Sequence, residues 1–153
     1  MTREPITKNA ILIIGPAWVG DMVMAQVLFK LIKQKKPDVA IDVLAPAWSA
    51  PLLARMPEVR ASFDLPLKHG EFGFFVRQKI GRTLREKYRQ AILLPNSWKS
   101  ALVPFFAGIS QRTGWRGEMR YGLLNDIRTL DKEKYPLMIE RFASLAFAAG
   151  MPL

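Results

Sequence analysis

Ala10-Ile11-Leu12-Ile13-Ile14-Gly15-Pro16-Ala17-Trp18-Val19-Gly20-Asp21 decides the fold of this 153-residue chain. Five apolar residues in a row, three of them β-branched isoleucine, read as a strand buried on both faces. Gly15 to Gly20 form a loop whose glycines permit unusual backbone angles. A helix is expected from Asp21 to about Lys35, stopped by Pro37. Strand, short loop and helix in that order open a layered α/β fold.

The same alternation continues along the chain. Ala40 to Leu44 predicts a second strand with an exit loop at Ala45-Pro46-Ala47-Trp48, and Ser49-Ala50-Pro51 starts a short helix with a serine able to cap it. A third strand is expected within Val59 to Leu65. A long helix should then run from Glu71 or Phe72 to Tyr88, with Phe72, Val76, Ile80, Leu84 and Tyr88 as an apolar stripe and Arg82, Arg85 and Arg89 opposite. Ala91 to Leu94 predicts a fourth strand, Trp98 to Ala107 a helix, and Arg112 to Trp115 a fifth strand. The final helix, Tyr135 to Ala149, has Pro136 in its first turn and Gly150 to end it. Right-handed crossovers then make a Rossmann-like α/β layer over residues 1–153, a mostly parallel sheet with helices on both faces. Ligands of such sheets sit outside the carboxyl ends of the strands, here the loops at 15–21, 45–49, 65–71, 95–99 and 114–125.

Composition narrows the class. Half the residues are hydrophobic and 24% are charged, a globular balance, and no run approaches the roughly 20 apolar residues that span a bilayer. The opening residues lack a signal-type apolar core, so a cytoplasmic protein is expected. Without cysteine there are no disulfides and no thiolate metal sites; neither a metal nor a cofactor is expected. The net charge of +10 points to an anionic partner (nucleic acid, membrane or phosphorylated substrate) or to a basic solubilising surface. Charge does not choose among them.

The first loop is placed like a phosphate loop, but Asp21 and Met22 stand where Lys and Ser or Thr would be needed, and Gly-x-Gly-x-x-Gly is missing. Asp21 itself has two readings, a helix N-cap or a general base facing the crevice. Capping lowers a carboxylate's pKa and weakens it as a base, so the two coexist only if proton transfer is late. Asn96, Ser97 and Lys99, at the fourth strand's exit, are either an anion site at a helix amino end or a plain cap with a solvated lysine. Arg112, Arg116 and Arg120 suit carboxylates and phosphates, or salt bridges to Glu118 or Asp126. His69 is a crevice-loop hydrogen-bonder or an ordinary exposed histidine. Phe72, Phe74 and Phe75 are core, or touch a membrane surface. Trp18, Trp48, Trp98 and Trp115 lie at or near crevice loops and either stack on sugars or, for some of them, are simply core.

Five stretches carry a resemblance: Ile14 to Gln26, Asp42 to Trp48, Leu53 to Val59, and above all Leu94 to Ile109 and Arg112 to Asp126. They resemble, in order along nearly the whole chain, the lipopolysaccharide heptosyltransferases of glycosyltransferase family 9. The resemblance implies a two-domain GT-B fold and inverting transfer of heptose from ADP-heptose to the first heptose of the lipopolysaccharide inner core. It implies an acceptor-side domain in residues 1–153, with the nucleotide-sugar domain outside them and this chain inactive alone. Asp21 is then the base by position, with Gly15, Trp18 and Gly20 near the donor. The inner core's acidic sugars and phosphates become the anions for Asn96, Ser97, Lys99, Arg112, Arg116 and Arg120, with His69 beside them. The enzyme would work peripherally on the inner face of the inner membrane. The terminal helix, apolar on most sides, is expected to self-associate. The alternative is a stand-alone basic module for nucleic acid or another polyanion, though no helix-turn-helix, zinc-finger, KH or RRM signature supports it. Whether arginines gather beside Asp21 or spread over the outside of helix 72–88 separates the two.

Overall fold

Six parallel strands make one sheet in the order β3-β2-β1-β4-β5-β6. They are β1 Ala10–Ile14, β2 Ala40–Ala45, β3 Val59–Asp64, β4 Gln90–Leu93, β5 Gln111–Trp115 and β6 Asp126–Arg128. The computed structural model describes residues 9–67, 72–95, 97–115, 123–128, 133–134 and 137–147. Chain order reverses direction across the sheet between β1 and β4, which is the Rossmann arrangement expected from the sequence.

Alternation along β1 builds two cores. Ile11 and Ile13 pack with Met22, Ala25, Leu28, Phe29 and Ile32 of helix α1 (Val19–Lys35), Leu53 of α2 (Ala50–Ala54), and Phe142 beside Leu145 at the end of α5 (Met138–Ser144). Ala10, Leu12 and Ile14 face the other way, onto Leu84, Tyr88, Ala101, Val103 and Ile109. Helices α3 (Phe74–Thr83) and α4 (Leu102–Phe106) pack on each other beside this second core. Strand β1, covered on both faces, carries no polar residue.

Several boundaries differ from the expectation. Helix α3 spans ten residues and not the length to Tyr88. Gly73 ahead of it is left-handed, at φ 57°, and Glu86 beyond it at 64°, so the chain turns at both ends of the apolar stripe. Phe72 and Val76 are therefore exposed, while Leu84 and Tyr88 reach the core from the following turn. Helix α1 is less enclosed than its composition implied, with Val23 about half exposed. The segment expected as one helix from Trp98 is a 3-10 turn over Lys99–Ala101 followed by the five residues of α4. Ser49 does not cap α2: its hydroxyl donates to the Pro46 carbonyl at 2.6 Å. Strand β6 was not foreseen. The terminal helix is shorter than expected: α5 starts at Met138 after the extended Leu137 and ends at Ser144, with Leu145 to Phe147 no longer helical, while Pro136 and Gly150 lie outside the described residues.

Two polar clusters hold the sheet. At the β2–β3 pairing an irregularity leaves Arg60 unpaired between Val59 and Ala61, and it is Arg60 that grips buried Asp42, Nε to Oδ1 at 3.0 Å and Nη2 to Oδ2 at 2.7 Å. The Tyr88 phenol donates to the same Oδ2 at 2.6 Å. At the other edge, Asp126 accepts from Thr113 at 2.8 Å and from Arg128 at 2.9 and 2.8 Å. Arg128 also donates to the Phe147 carbonyl, tying β6 to the end of α5.

Candidate active site

A cavity of about 840 Å³ opens at the carboxyl ends of the strands, beside the point where strand order reverses. That volume lies within the usual range for small-molecule sites. Its floor is the end of β1 and β4, through Ile14, Gly15 and Leu94. The β1–α1 loop contributes Trp18 and Asp21, the β2 exit Pro46 and Trp48, and the β4 exit Ser97, Lys99 and Ser100. Trp115 closes β5, and Arg77 and Arg141 enter from α3 and α5. These groups are far apart in sequence and meet because the parallel strands they follow all end on the same edge.

Gly15 matters through space, not through an unusual backbone angle. A Cβ there would lie 2.8 Å from Met22 Cε, 3.1 Å from Ala45 Cβ and 3.2 Å from Val43 Cγ1, so a side chain would crowd β2 and push the end of Met22 aside. Gly20, by contrast, faces open space. Helix α1 begins two residues earlier than expected, with Trp18 as N-cap and the first helical bond running from Met22 N–H to the Trp18 carbonyl at 3.0 Å. Asp21 is therefore inside the first turn and is not the cap. Among the described residues no donor or cation engages its carboxylate, which lines the cavity half-buried. An acid in a helix's first turn sits favourably in the field of the helix amino end.

Of the expected anion-binding residues, Ser97 and Lys99 line the cavity. Neither caps a helix: the Ser97 carbonyl accepts from the Ser100 hydroxyl at 2.6 Å, and the turn's N-cap is Trp98. With only a 3-10 turn and the short α4 behind them, positive charge here comes from side chains, not from a helix end. Arg112 is elsewhere. Its guanidinium donates to the Leu123 and Ile109 carbonyls and lies over the Phe105 ring, and it does not line the cavity. Burial lowers its pKa, as it does for Arg77. His69, Asn96, Arg116 and Arg120 lie outside the described residues.

Sequence reasoning missed Arg77. It is 6% exposed, donates to the Phe72 carbonyl at 2.8 Å and to the Lys99 carbonyl at 3.4 Å, and borders the cavity with no carboxylate partner among the described residues. A buried cation without a counter-ion is costly unless something anionic joins it. The signal was present, since Arg77 falls on the same side of α3 as buried Gly81, at helical spacing. Arg141 was hidden inside a helix read as apolar. Trp18, Trp48 and Trp115 line the cavity, whereas Trp98 stacks on Phe72 outside it. Arg77 and Arg141 thus gather at the cavity that Asp21 lines, while Arg82 and Arg85 stay exposed on the outside.

Comparison with known proteins agrees with this fold. Residues 77–152 match the model of glycosyltransferase family 9 (heptosyltransferase). The chain is 60% identical over 142 residues to lipopolysaccharide heptosyltransferase 2 of Escherichia coli strain K12, covering 92% of itself and 41% of that relative. The solved structure of E. coli ADP-heptose lps heptosyltransferase II superposes with a TM-score of 0.83 at 58% identity, again over 92% of this chain and 41% of that one. A second E. coli heptosyltransferase, WaaC with ADP, shares the fold at a TM-score of 0.75 and 18% identity, over 94% and 48% of the two chains. The chain thus spans about two-fifths of the length of the curated relatives it matches. By sequence over nearly all its length, and by the strand order and packing of its sheet, the chain belongs to glycosyltransferase family 9, the heptosyltransferases.

Proposed function

We propose that residues 1–153 form the acceptor-facing, amino-terminal half of an inverting GT-B heptosyltransferase. The whole enzyme moves heptose from ADP-heptose to the first heptose of the lipopolysaccharide inner core, at the cytoplasmic face of the inner membrane. A second domain, matching the part of the relatives this chain does not span, holds most of the sugar nucleotide. Asp21 takes the proton of the acceptor hydroxyl as that oxygen bonds to the anomeric carbon from the face opposite the departing ADP. The bond from the anomeric carbon to the diphosphate breaks in the same displacement, which inverts the centre. Arg77 and Lys99 bind the acceptor's carboxylates or phosphates. Gly15, Trp18 and Gly20 approach the donor, and Leu137, Met138 and Ile139 at the exposed start of α5 offer a surface for self-association. The chain alone is inactive, because positioning both substrates is where much of the rate enhancement originates.

The observation carrying this reading is the Asp21 carboxylate, uncommitted to any described partner and bordering a cavity that buried Arg77 also lines. The fusion of this chain to the carboxyl-terminal part of the E. coli relative provides the test. There Asp21→Asn should lower turnover about 10²–10⁴-fold, the usual worth of a general base, while acceptor affinity holds. Because Asp21 caps nothing and only its interaction with the helix amino end is lost, Asp21→Ala should lower the melting temperature by no more than about 4 °C. Near-normal turnover in Asp21→Asn would overturn the assignment.

A further inference from the structure

Exposed aromatic rings gather on one side of the molecule. Phe75 is 78% exposed, Phe72 47%, Phe105 42% and Trp98 37%. They are continuous. Phe72 lies flat on Trp98, centroids 5.6 Å apart with 4° between planes, and Phe74 links Phe72 to Phe75 and Phe106. Phe105 meets the edge of Phe106, so the rings form one ledge across α3 and α4. An apolar patch of this kind marks an interaction surface. Helical spacing sets Lys79 four residues after Phe75 and Arg82 three further on, all three exposed, so the outward stripe of α3 carries a ring and then two cations. The ledge adjoins the cavity: Trp98 lies between Ser97 and Lys99, and the Phe72 carbonyl accepts from Arg77.

We propose that this ledge seats the chain on an anionic lipid surface. The rings enter the boundary between headgroups and acyl chains, and Lys79 and Arg82 meet lipid phosphates, the arrangement by which amphipathic helices lie on membranes. A net charge of +10 supplies the long-range attraction. A protein partner fits less well, because interface cores are depleted in lysine, and a second copy meeting the same face would oppose Lys79 and Arg82 to themselves. The seat holds the cavity mouth at the surface in which a glycolipid is anchored. This placement rests on the membrane-bound acceptor proposed above, and vesicles without glycolipid test it separately from heptose transfer.

The experiment is co-sedimentation of the 153-residue chain with vesicles of phosphatidylethanolamine and phosphatidylglycerol, against vesicles of phosphatidylcholine alone. The chain should bind the anionic vesicles and bind the neutral ones far less. Phe75→Ser should weaken binding about tenfold. Lys79→Gln and Arg82→Gln should each weaken it about fivefold, with unchanged circular dichroism. No binding to anionic vesicles, equal binding to both kinds, or wild-type binding by all three variants would overturn the proposal. Loss of self-association as the sole effect of Phe75→Ser would assign the ledge to a second copy. Capture of a separately expressed carboxyl-terminal half, without vesicle binding, would assign it to the rest of a longer chain.

Discussion

Tyr88→Phe isolates a single buried hydrogen bond. Tyr88 is 3% exposed and Asp42 2%, and the phenol donates to Asp42 Oδ2 at 2.6 Å. A hydrogen bond to a charged group is worth about 1.5–3 kcal/mol. Arg60 remains on both carboxylate oxygens in the variant, so the charge is not abandoned and the lower part of that range applies, about 1.5–2 kcal/mol. For a chain of this size that lowers the melting temperature by about 3–8 °C at pH 7. The same bond has an alkaline signature. Burial first, then the hydrogen bond and charge of Asp42, push the Tyr88 phenol well above its ordinary 10.0. Above about pH 10 the unfolded phenol releases its proton while the folded one keeps it. The unfolded state then binds fewer protons, and the wild type loses up to about 1.4 kcal/mol per pH unit that the variant does not. Below pH 10 the Tyr88 contribution is fully present. Lysine titration is common to both proteins and cancels in the comparison. Urea denaturation at pH 7, 9, 10 and 11 should show a gap that is constant up to about pH 10 and nearly closed by about pH 11. A gap independent of pH, or none at pH 7, would refute the reasoning.

Asp126→Asn tests the opposite sheet edge. Hydrogen bonding from Arg128 first, with Thr113 adding to it, holds the Asp126 carboxyl below its usual range, so its contribution is present above about pH 4 and lost as pH falls further. Denaturation curves should show the variant about 1.5–3 kcal/mol less stable at pH 7 and with a shallower acid limb; equal acid limbs would contradict this. At the start of α5, Met138→Glu with Ile139→Glu should abolish any self-association seen by sedimentation velocity, and a wild type that is monomeric at all concentrations would remove that surface from the proposal.

The sheet was legible because its determinants are local. Ala10 to Ile14 and Ala91 to Leu94 are unbroken apolar runs, and Ala40 to Leu44 is apolar except for Asp42, whose buried carboxylate is met by Arg60 and Tyr88; strands covered on both faces favour such a composition. Strand β6 was not legible: Asp126-Ile127-Arg128 is short and charged, and its charge is accommodated because Thr113 donates to Asp126 across the pairing with β5 while Arg128 meets it from within the strand. The stripe from Phe72 to Tyr88 misled for a related reason. Periodicity cannot see that Gly73 and Glu86 turn the backbone through left-handed geometry, so residues at helical spacing ended on different surfaces.

The candidate site divides along the same line. Sequence alone placed Asp21, Ser97, Lys99 and the tryptophans near one edge, because parallel strands send every exit loop to the same side. Which side chains meet there was decided by tertiary packing. Helix α1 starts at Val19, which puts Asp21 inside its first turn and leaves its carboxylate without a described partner. Packing of α3 against α4 carries Arg77 inward to the cavity and leaves Phe75 outward in solvent. Arg112, equal to the other arginines in sequence, is taken up by the Ile109 and Leu123 carbonyls. An arginine's reach spans several partners, and only the folded chain determines whether a carbonyl, a carboxylate or open cavity lies within it.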